Sequence, residues 1–266
     1  MFACGVRKAT FVTLSEDWCR VVTHITSRSP VYADTILPLA FQVPAIMEGI
    51  DEVLAQPAQA SQSRPLVSLL TRIERLQGAL GDWLLACEAK VHAPEDGKVT
   101  SFVWQLDRVR GRLFPYFDVP EVFAPTVDFA THGIAIATSV YWTWALQLSI
   151  MADDICHRFS TLRSFDAANG NFTGMTPQHA GPSSAQIADL ICRSFGYWMR
   201  SSETINEIQI CFSFPHRIAW RWYARQGGEF ESDTAACAKR SELLRKSGIH
   251  GFILEYITDT YYALPP

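Results

Sequence analysis

The stretch "FATHGIAIATSVYWTWALQLSIMA", residues 129–152, decides the fold because it contains no Asp, Glu, Lys or Arg. Its length would allow it to cross a bilayer. It nevertheless carries Thr, Ser, His and Gln side chains, and no cluster of Lys and Arg flanks it. A helix at the centre of a large helical core needs the same all-round apolarity. We therefore predict a buried core helix, over about residues 126–163, in a protein that is not inserted in a membrane.

Upstream of this stretch, apolar residues recur in alternating steps of three and four, which is helical periodicity. They are Leu66, Leu69, Ile73, Leu76, Leu80, Trp83 and Cys87. Pro65 precedes them and suits a first helical turn. The same spacing is found in coiled-coil dimers, but Leu70 and Leu84 widen the stripe and the run is only about three heptads long. An internal helix of a bundle is therefore favoured.

The remaining segments are also mostly helical in pattern. Helices are predicted at 31–54 (interrupted at Pro38 and Pro44), 101–113, 185–203, 215–226, 233–246 and in the closing stretch "GFILEYITDTYYA". Ser232 or Asp233 suits the N-cap of the helix at 233–246, and Gly248 suits its end. Residues 164–184 are rich in Gly, Pro, Asn and Ser, which predicts a mobile loop. The sequence thus indicates an all-α, irregular multi-helix bundle in a single domain, with an entry segment at 1–30 and the helical domain at 31–266.

Composition argues against several classes of protein. The chain has 266 residues, 48% of them hydrophobic, and a net charge of −4, whereas a DNA-binding domain usually has a clear basic excess. The seven cysteines are dispersed and form no C-x-x-C pair, which favours reduced thiols without a zinc site. The opening "MFACGVRKATFV" lacks the apolar run of a signal peptide, so the expected location is the nucleus or the cytoplasm.

The best candidate for catalysis is "MADDICHRF", residues 151–159. Asp153, Asp154 and His157 would share one helix face, and adjacent aspartates resemble the magnesium-binding motif of all-α terpene synthases. A third acid and a second metal motif are missing, so a helix end that emerges into water is the favoured interpretation. Walker, G-x-S-x-G and G-x-G-x-x-G motifs are absent from the sequence. We predict no catalytic residue, no metal and no cofactor.

Residues 212–225, "FSFPHRIAWRWYAR", place Arg217, Arg221 and Arg225 on one stripe of a helix. The aromatic side chains fall mostly on the other side, whereas single-strand binders interleave rings and cations on one surface. Direct contact with nucleic acid is therefore not expected. The three arginines are a candidate partner-contact edge, called the Arg edge below.

The order of several segments resembles the all-helical regulatory domain of fungal binuclear zinc-cluster transcription factors, over about residues 14–257. Similar segments are "LSEDW" at 14–18, "LPLAFQVPAIMEGIDEVL" at 37–54, "LQGALGDWLLACE" at 76–88, "ATSVYWTWALQL" at 137–148, "ADLICRSFGYWM" at 188–199, the segment at 212–225 and "SGIHGFILEYI" at 247–257. The residues that match the family's pattern are Trp18, Trp83, Tyr141, Trp142, Ile191, Cys192, Arg193, Ser194, Phe214, Pro215, Ala219, Gly251 and Phe252.

The resemblance implies a transcriptional or accessory regulator, acting in the nucleus on a set of secondary-metabolite genes. Such proteins bind DNA through a six-cysteine, Lys/Arg-rich cluster, which is missing from this sequence. No residue of the chain is therefore expected to bind DNA. The expected partners are proteins, either a full-length transcription factor or a coactivator. Two alternatives stay open: a small-molecule-binding protein whose eight Trp and sixteen Phe line a pocket, or a terpene-synthase-like metal-dependent enzyme.

Overall fold

The computed structural model describes residues 30–56, 62–91, 103–106, 123, 126–165, 182–201 and 209–246. This part of the chain is 89% helical, which confirms the all-α prediction. Three predicted segments lie outside the described residues. They are the entry segment at 1–30 except Pro30, the loop at 164–184 except a few residues at its two ends, and the closing helix with Gly248, Gly251 and Phe252.

The helices are α1 (Pro30–Ala40), α2 (Val43–Leu54), α3 (Ser63–Val91), α4 (His132–Phe165), α5 (Ser184–Arg193), α6 (Phe195–Ser201), α7 (Phe214–Gln226) and α8 (Glu231–Lys246). Strands β1 (Val103–Leu106) and β2 (Thr126–Phe129) form a two-stranded antiparallel sheet. A π-helical turn, Gln209–Ser213, leads into α7, and a 3₁₀ turn, Gly228–Phe230, leads into α8.

Helix α4 is the centre of the fold and contains most of the quoted apolar stretch. It packs against α1, α2, α3, α5 and α7. In the described part of the chain, the segment His132–Arg158 is long and apolar enough to cross a membrane, and 83% of its most apolar window is buried inside the protein. The protein's own helices therefore cover this surface, as expected for a core helix.

Helix α3 turns its apolar stripe toward the core. Leu66, Ile73 and Leu80 are fully buried, and the other four residues of the stripe are buried as well. Trp83 donates its indole N–H to Thr35 Oγ1 of α1 at 2.9 Å and stacks on Tyr141 of α4, with the ring centroids 6.0 Å apart. The apolar stripe of α3 is thus buried within the chain itself. This favours an internal bundle helix over a coiled-coil dimer.

Two predictions between α3 and α4 are wrong. Residues 103–106 form a strand where a helix over 101–113 was predicted, and residues 126–129 form its partner where the long helix was expected to begin. Helix α4 begins only after Thr131, whose hydroxyl accepts a hydrogen bond from the Ile134 N–H at 3.2 Å. Apolar composition continues across this boundary, so the N-cap hydroxyl, rather than hydrophobicity, marks where the helix starts.

Three further boundaries differ from the predictions. Pro38 lies inside α1, and the break comes at residues 41–42 instead. The helix predicted at 185–203 divides at Ser194, whose hydroxyl donates to the Ile191 carbonyl at 2.8 Å. Helix α8 begins at Glu231, so Ser232 and Asp233 lie in its first turn and neither is the N-cap.

Candidate functional site

The Arg edge lies on α7 and faces the C-terminal half of α4 at Asp154. Arg225 donates a hydrogen bond to Asp154 Oδ1, and Arg221 Nη2 lies 3.9 Å from Asp154 Oδ2. The three side chains are 25–32% exposed. The hydrogen bond to Asp154 raises the pKa of Arg225. Two of the three predicted partner-contact arginines therefore connect α7 to α4 through one carboxylate.

This arrangement bears on the aspartate pair. Asp154 is neutralised by two guanidinium groups, so a magnesium ion would have to displace them to use this carboxylate. Burial raises the pKa of the neighbouring Asp153, opposed by the charge of Arg225. In the part of the chain that the structure describes, the side chains placed to hold a metal ion together are those of Cys192, His216 and Cys237, not those of the aspartate pair.

The residues of the family resemblance lie in the core wherever the structure describes them. The buried ones are Trp83, Tyr141, Trp142, Ile191, Cys192, Phe214, Pro215 and Ala219. Arg193 and Ser194 are buried too, and Arg193 Nη1 donates to Asp189 Oδ2 at 2.8 Å. Trp18, Gly251 and Phe252 lie outside the described residues. These residue types thus support packing and helix ends.

The cluster with the most unusual chemistry joins Cys192 of α5, His216 of α7 and Cys237 of α8, and is called the Cys–His cluster below. All three side chains are at most 1% exposed. The Cys192 and Cys237 sulfur atoms are 3.6 Å apart. One ligand atom from each residue lies within 4.8 Å of the other two. Three helices that meet in the core therefore bring two sulfurs and an imidazole to one point.

Arg240 is the buried cation beside this cluster. Its Nη1 donates to the Cys192 carbonyl at 2.7 Å, and its guanidinium stacks 4.5 Å from the Phe195 ring centroid and 4.9 Å from that of Phe123. The Cys192 carbonyl belongs to the last turn of α5, where carbonyls lack intrahelical partners and the helix dipole is negative. Arg240 therefore caps α5 and places a positive charge next to the sulfurs.

The two thiols differ in acidity. The hydrogen bond with Cys192 lowers the pKa of Cys237 to about 5, against the effect of burial and aided by His216 and Arg240. Burial raises the pKa of Cys192. Either sulfur can be the donor in the hydrogen bond between the two cysteines. Burial lowers the pKa of Arg240, but both sulfurs oppose this change, so thiolate and guanidinium stabilise each other.

Sequence reasoning did not find the Cys–His cluster. Local spacing is the usual signal for metal or redox cysteines, and positions 192, 216 and 237 lie on three separate helices. Cys192 matches the family pattern only as a packing residue, and the sequence favoured a helix end or the surface for His216. The surface interpretation is wrong, because His216 is buried. The one sequence signal for the cluster was the position of His216 in an aromatic and apolar segment, directly after Pro215.

Comparison of the chain with protein-family models, with curated proteins and with solved structures found no match.

Proposed function

We propose that the protein is a noncatalytic accessory regulator of transcription, of the fungal zinc-cluster type, that acts through protein partners in the nucleus. The observation that carries the proposal is the joint burial of residues from distant segments that resemble the family pattern. Trp83 stacks on Tyr141, and Trp144, in the same segment as Tyr141, lies 6.3 Å from the Phe214 ring. Segments that belong to one domain of this family would have to share a core, and these contacts agree with that requirement.

The Arg edge is the proposed contact surface. Its side chains remain partly exposed although Asp154 binds two of them, so an acidic segment of a partner would compete with Asp154 for the same guanidiniums. Exchange of one carboxylate for another keeps the arginines paired and costs little desolvation. The contact is therefore expected to be salt-sensitive and selective for acidic partners.

The proposal is tested by proximity labelling with the tagged full chain in its source organism, together with transcript profiling of a deletion strain. We expect enrichment of a transcription factor or coactivator and altered transcripts of a gene set. Asp154→Asn should increase partner capture because it releases the Arg edge, and Arg221→Glu should decrease it.

Arg245→Glu is the matched control, since Arg245 is an exposed arginine that pairs with Glu242 on its own helix, α8. This variant should capture partners like the wild type. Thermal melting of each variant separates loss of contact from loss of fold. Unchanged transcripts in the deletion strain, with no transcription protein captured, would refute the regulatory function.

A further inference from the structure

We propose that Cys192, His216 and Cys237 form a zinc-binding site in the core, an inference that does not rest on the proposed function. Two sulfurs and an imidazole are the ligand types that zinc prefers, and Cys₂His sets occur in proteins with a water or another ligand in the fourth position. The three ligands come from α5, α7 and α8, so a bound ion would fasten these helices together.

The sulfur–sulfur distance fits this assignment. Two thiolates on one tetrahedral zinc ion, each about 2.3 Å from the metal, lie about 3.8 Å apart. The observed separation is 3.6 Å. A disulfide bond would need about 2.0 Å, so the two sulfurs are not bonded to each other. A ring nitrogen of His216 lies within 4.8 Å of both sulfurs, so a bound ion would draw the three ligands closer together.

His216 gives independent support. Its ring is only 1% exposed, and neither ring nitrogen makes a hydrogen bond of acceptable geometry within the described part of the chain. Natural cores generally avoid a buried imidazole whose two nitrogens both lack a well-formed hydrogen bond. One ring nitrogen is the atom that lies close to the two sulfurs. A metal ion between the imidazole and the two sulfurs would satisfy that nitrogen.

The charge balance determines the fourth ligand. Two thiolates neutralise a zinc ion, and any proton on the two sulfurs is released when the metal binds. Arg240 then leaves one positive charge beside the centre, with its guanidinium fixed between Phe123 and Phe195. A small anion such as hydroxide or chloride is therefore favoured in the fourth position over neutral water.

The test uses the purified full chain, expressed with zinc present and analysed for metal by mass spectrometry. We expect one zinc ion for each chain. After removal of zinc by a chelator, Co²⁺ should give the visible bands of a tetrahedral ion and thiolate-to-cobalt charge-transfer absorption. The melting temperature of the metal-free protein should rise with added Zn²⁺ and remain unchanged with Mg²⁺.

Variants Cys192→Ser, Cys237→Ser and His216→Gln should each lose zinc and the charge-transfer band. Cys211→Ser is the matched control, because Cys211 is a buried cysteine just before α7 that is not part of the cluster. If a cluster variant fails to fold, the proposal is tested by the Co²⁺ spectrum and the zinc-dependent melting temperature of the wild type alone. Absence of both in the wild type, a Cys192–Cys237 disulfide, copper in place of zinc, or equal zinc loss in Cys211→Ser would each overturn the proposal.

Discussion

Arg240 and Arg245 lie on the same helix, α8, yet their surroundings differ completely. Arg240 is 5% exposed, caps α5 and faces two sulfurs, while Arg245 lies in water and pairs with Glu242 at 2.9 Å. Exposed pairs contribute little because water and salt screen them. A buried cation with specific partners cannot be removed without leaving those partners unsatisfied.

We expect Arg240→Met to lower the free energy of unfolding by roughly 3 kcal/mol, because the Cys192 carbonyl loses its hydrogen-bond donor and the two sulfurs lose a neighbouring positive charge. Arg245→Met should change it by less than about 0.5 kcal/mol. Chemical denaturation of the two variants and the wild type measures both effects. Equal losses for the two variants would contradict the role given to Arg240.

The adjacent residues Asp153 and Asp154 should respond to the same substitution with opposite signs. Asp154→Asn removes the charge partner of Arg225 and Arg221 and should destabilise the protein by about 1 kcal/mol. Asp153→Asn removes a carboxylate whose pKa is raised mainly by burial, and should stabilise the protein slightly at neutral pH.

The pH dependence of Asp153→Asn follows from the sign of that shift. An acid with a raised pKa in the folded state stabilises the protein below its ordinary value of 3.8, and this contribution disappears as the pH rises through the folded pKa. The advantage of Asp153→Asn over the wild type should therefore be absent in acid and appear on the way to neutral pH. Denaturation at a series of pH values measures this difference, and an advantage that shrinks with rising pH would contradict the assignment.

At the scale of elements, α2 and α3 approach each other closely at Gly49. A Cβ atom there would lie 2.9 Å from Leu69 Cδ2, whose side chain is only 6% exposed. Gly78, inside α3, has no heavy atom within 4 Å of the equivalent position. The first glycine therefore serves packing between helices, and the second leaves open space for a methyl group.

Replacement of each glycine by alanine separates helix propensity from packing. Gly78→Ala should raise the free energy of unfolding by about 0.5–1 kcal/mol, because alanine restricts the unfolded chain. Gly49→Ala should give no gain or a loss, since Leu69 must move. Thermal or chemical unfolding of both variants tests this contrast, and an equal gain at both positions would show that the two helices have room to adjust.

Helices with a clear periodic stripe were the most predictable elements. The stripe of α3 and the apolarity of α4 indicated both helices and their burial from local sequence. The sheet of β1 and β2 was missed because its pairing is non-local, and because a run as short as "TVDFA" fits either conformation. Helix starts were missed where a single hydroxyl, such as that of Thr131, fixes the boundary.

For the whole molecule, the described buried hydrophobic side chains form one cluster, which extends from Ile36 in α1 to Leu244 in α8. The all-α class could be predicted because it depends on periodicity, which is local. The Cys–His cluster could not, because it depends on how α5, α7 and α8 meet. The Arg edge was predicted as a stripe, but its ion pair with Asp154 required the packing of α7 on α4.

We expect the protein to behave as a soluble molecule, because the apolar surface of α4 is covered by its neighbours. Full-length protein should remain in the supernatant after ultracentrifugation of a detergent-free lysate and elute as a defined species. An integral membrane marker in the same lysate serves as the control. Sedimentation with membranes that resists alkaline carbonate would show that α4 is inserted in a bilayer.

The central position of α4 has a consequence for synthesis on the ribosome. Helices α1, α2 and α3 emerge first, and their apolar stripes have no cover until the segment from His132 onward leaves the exit tunnel. Helices α5 and α7 then complete the other side. The nascent chain must therefore keep α1, α2 and α3 from aggregating while translation continues, and a chaperone that binds apolar surface would act in this interval.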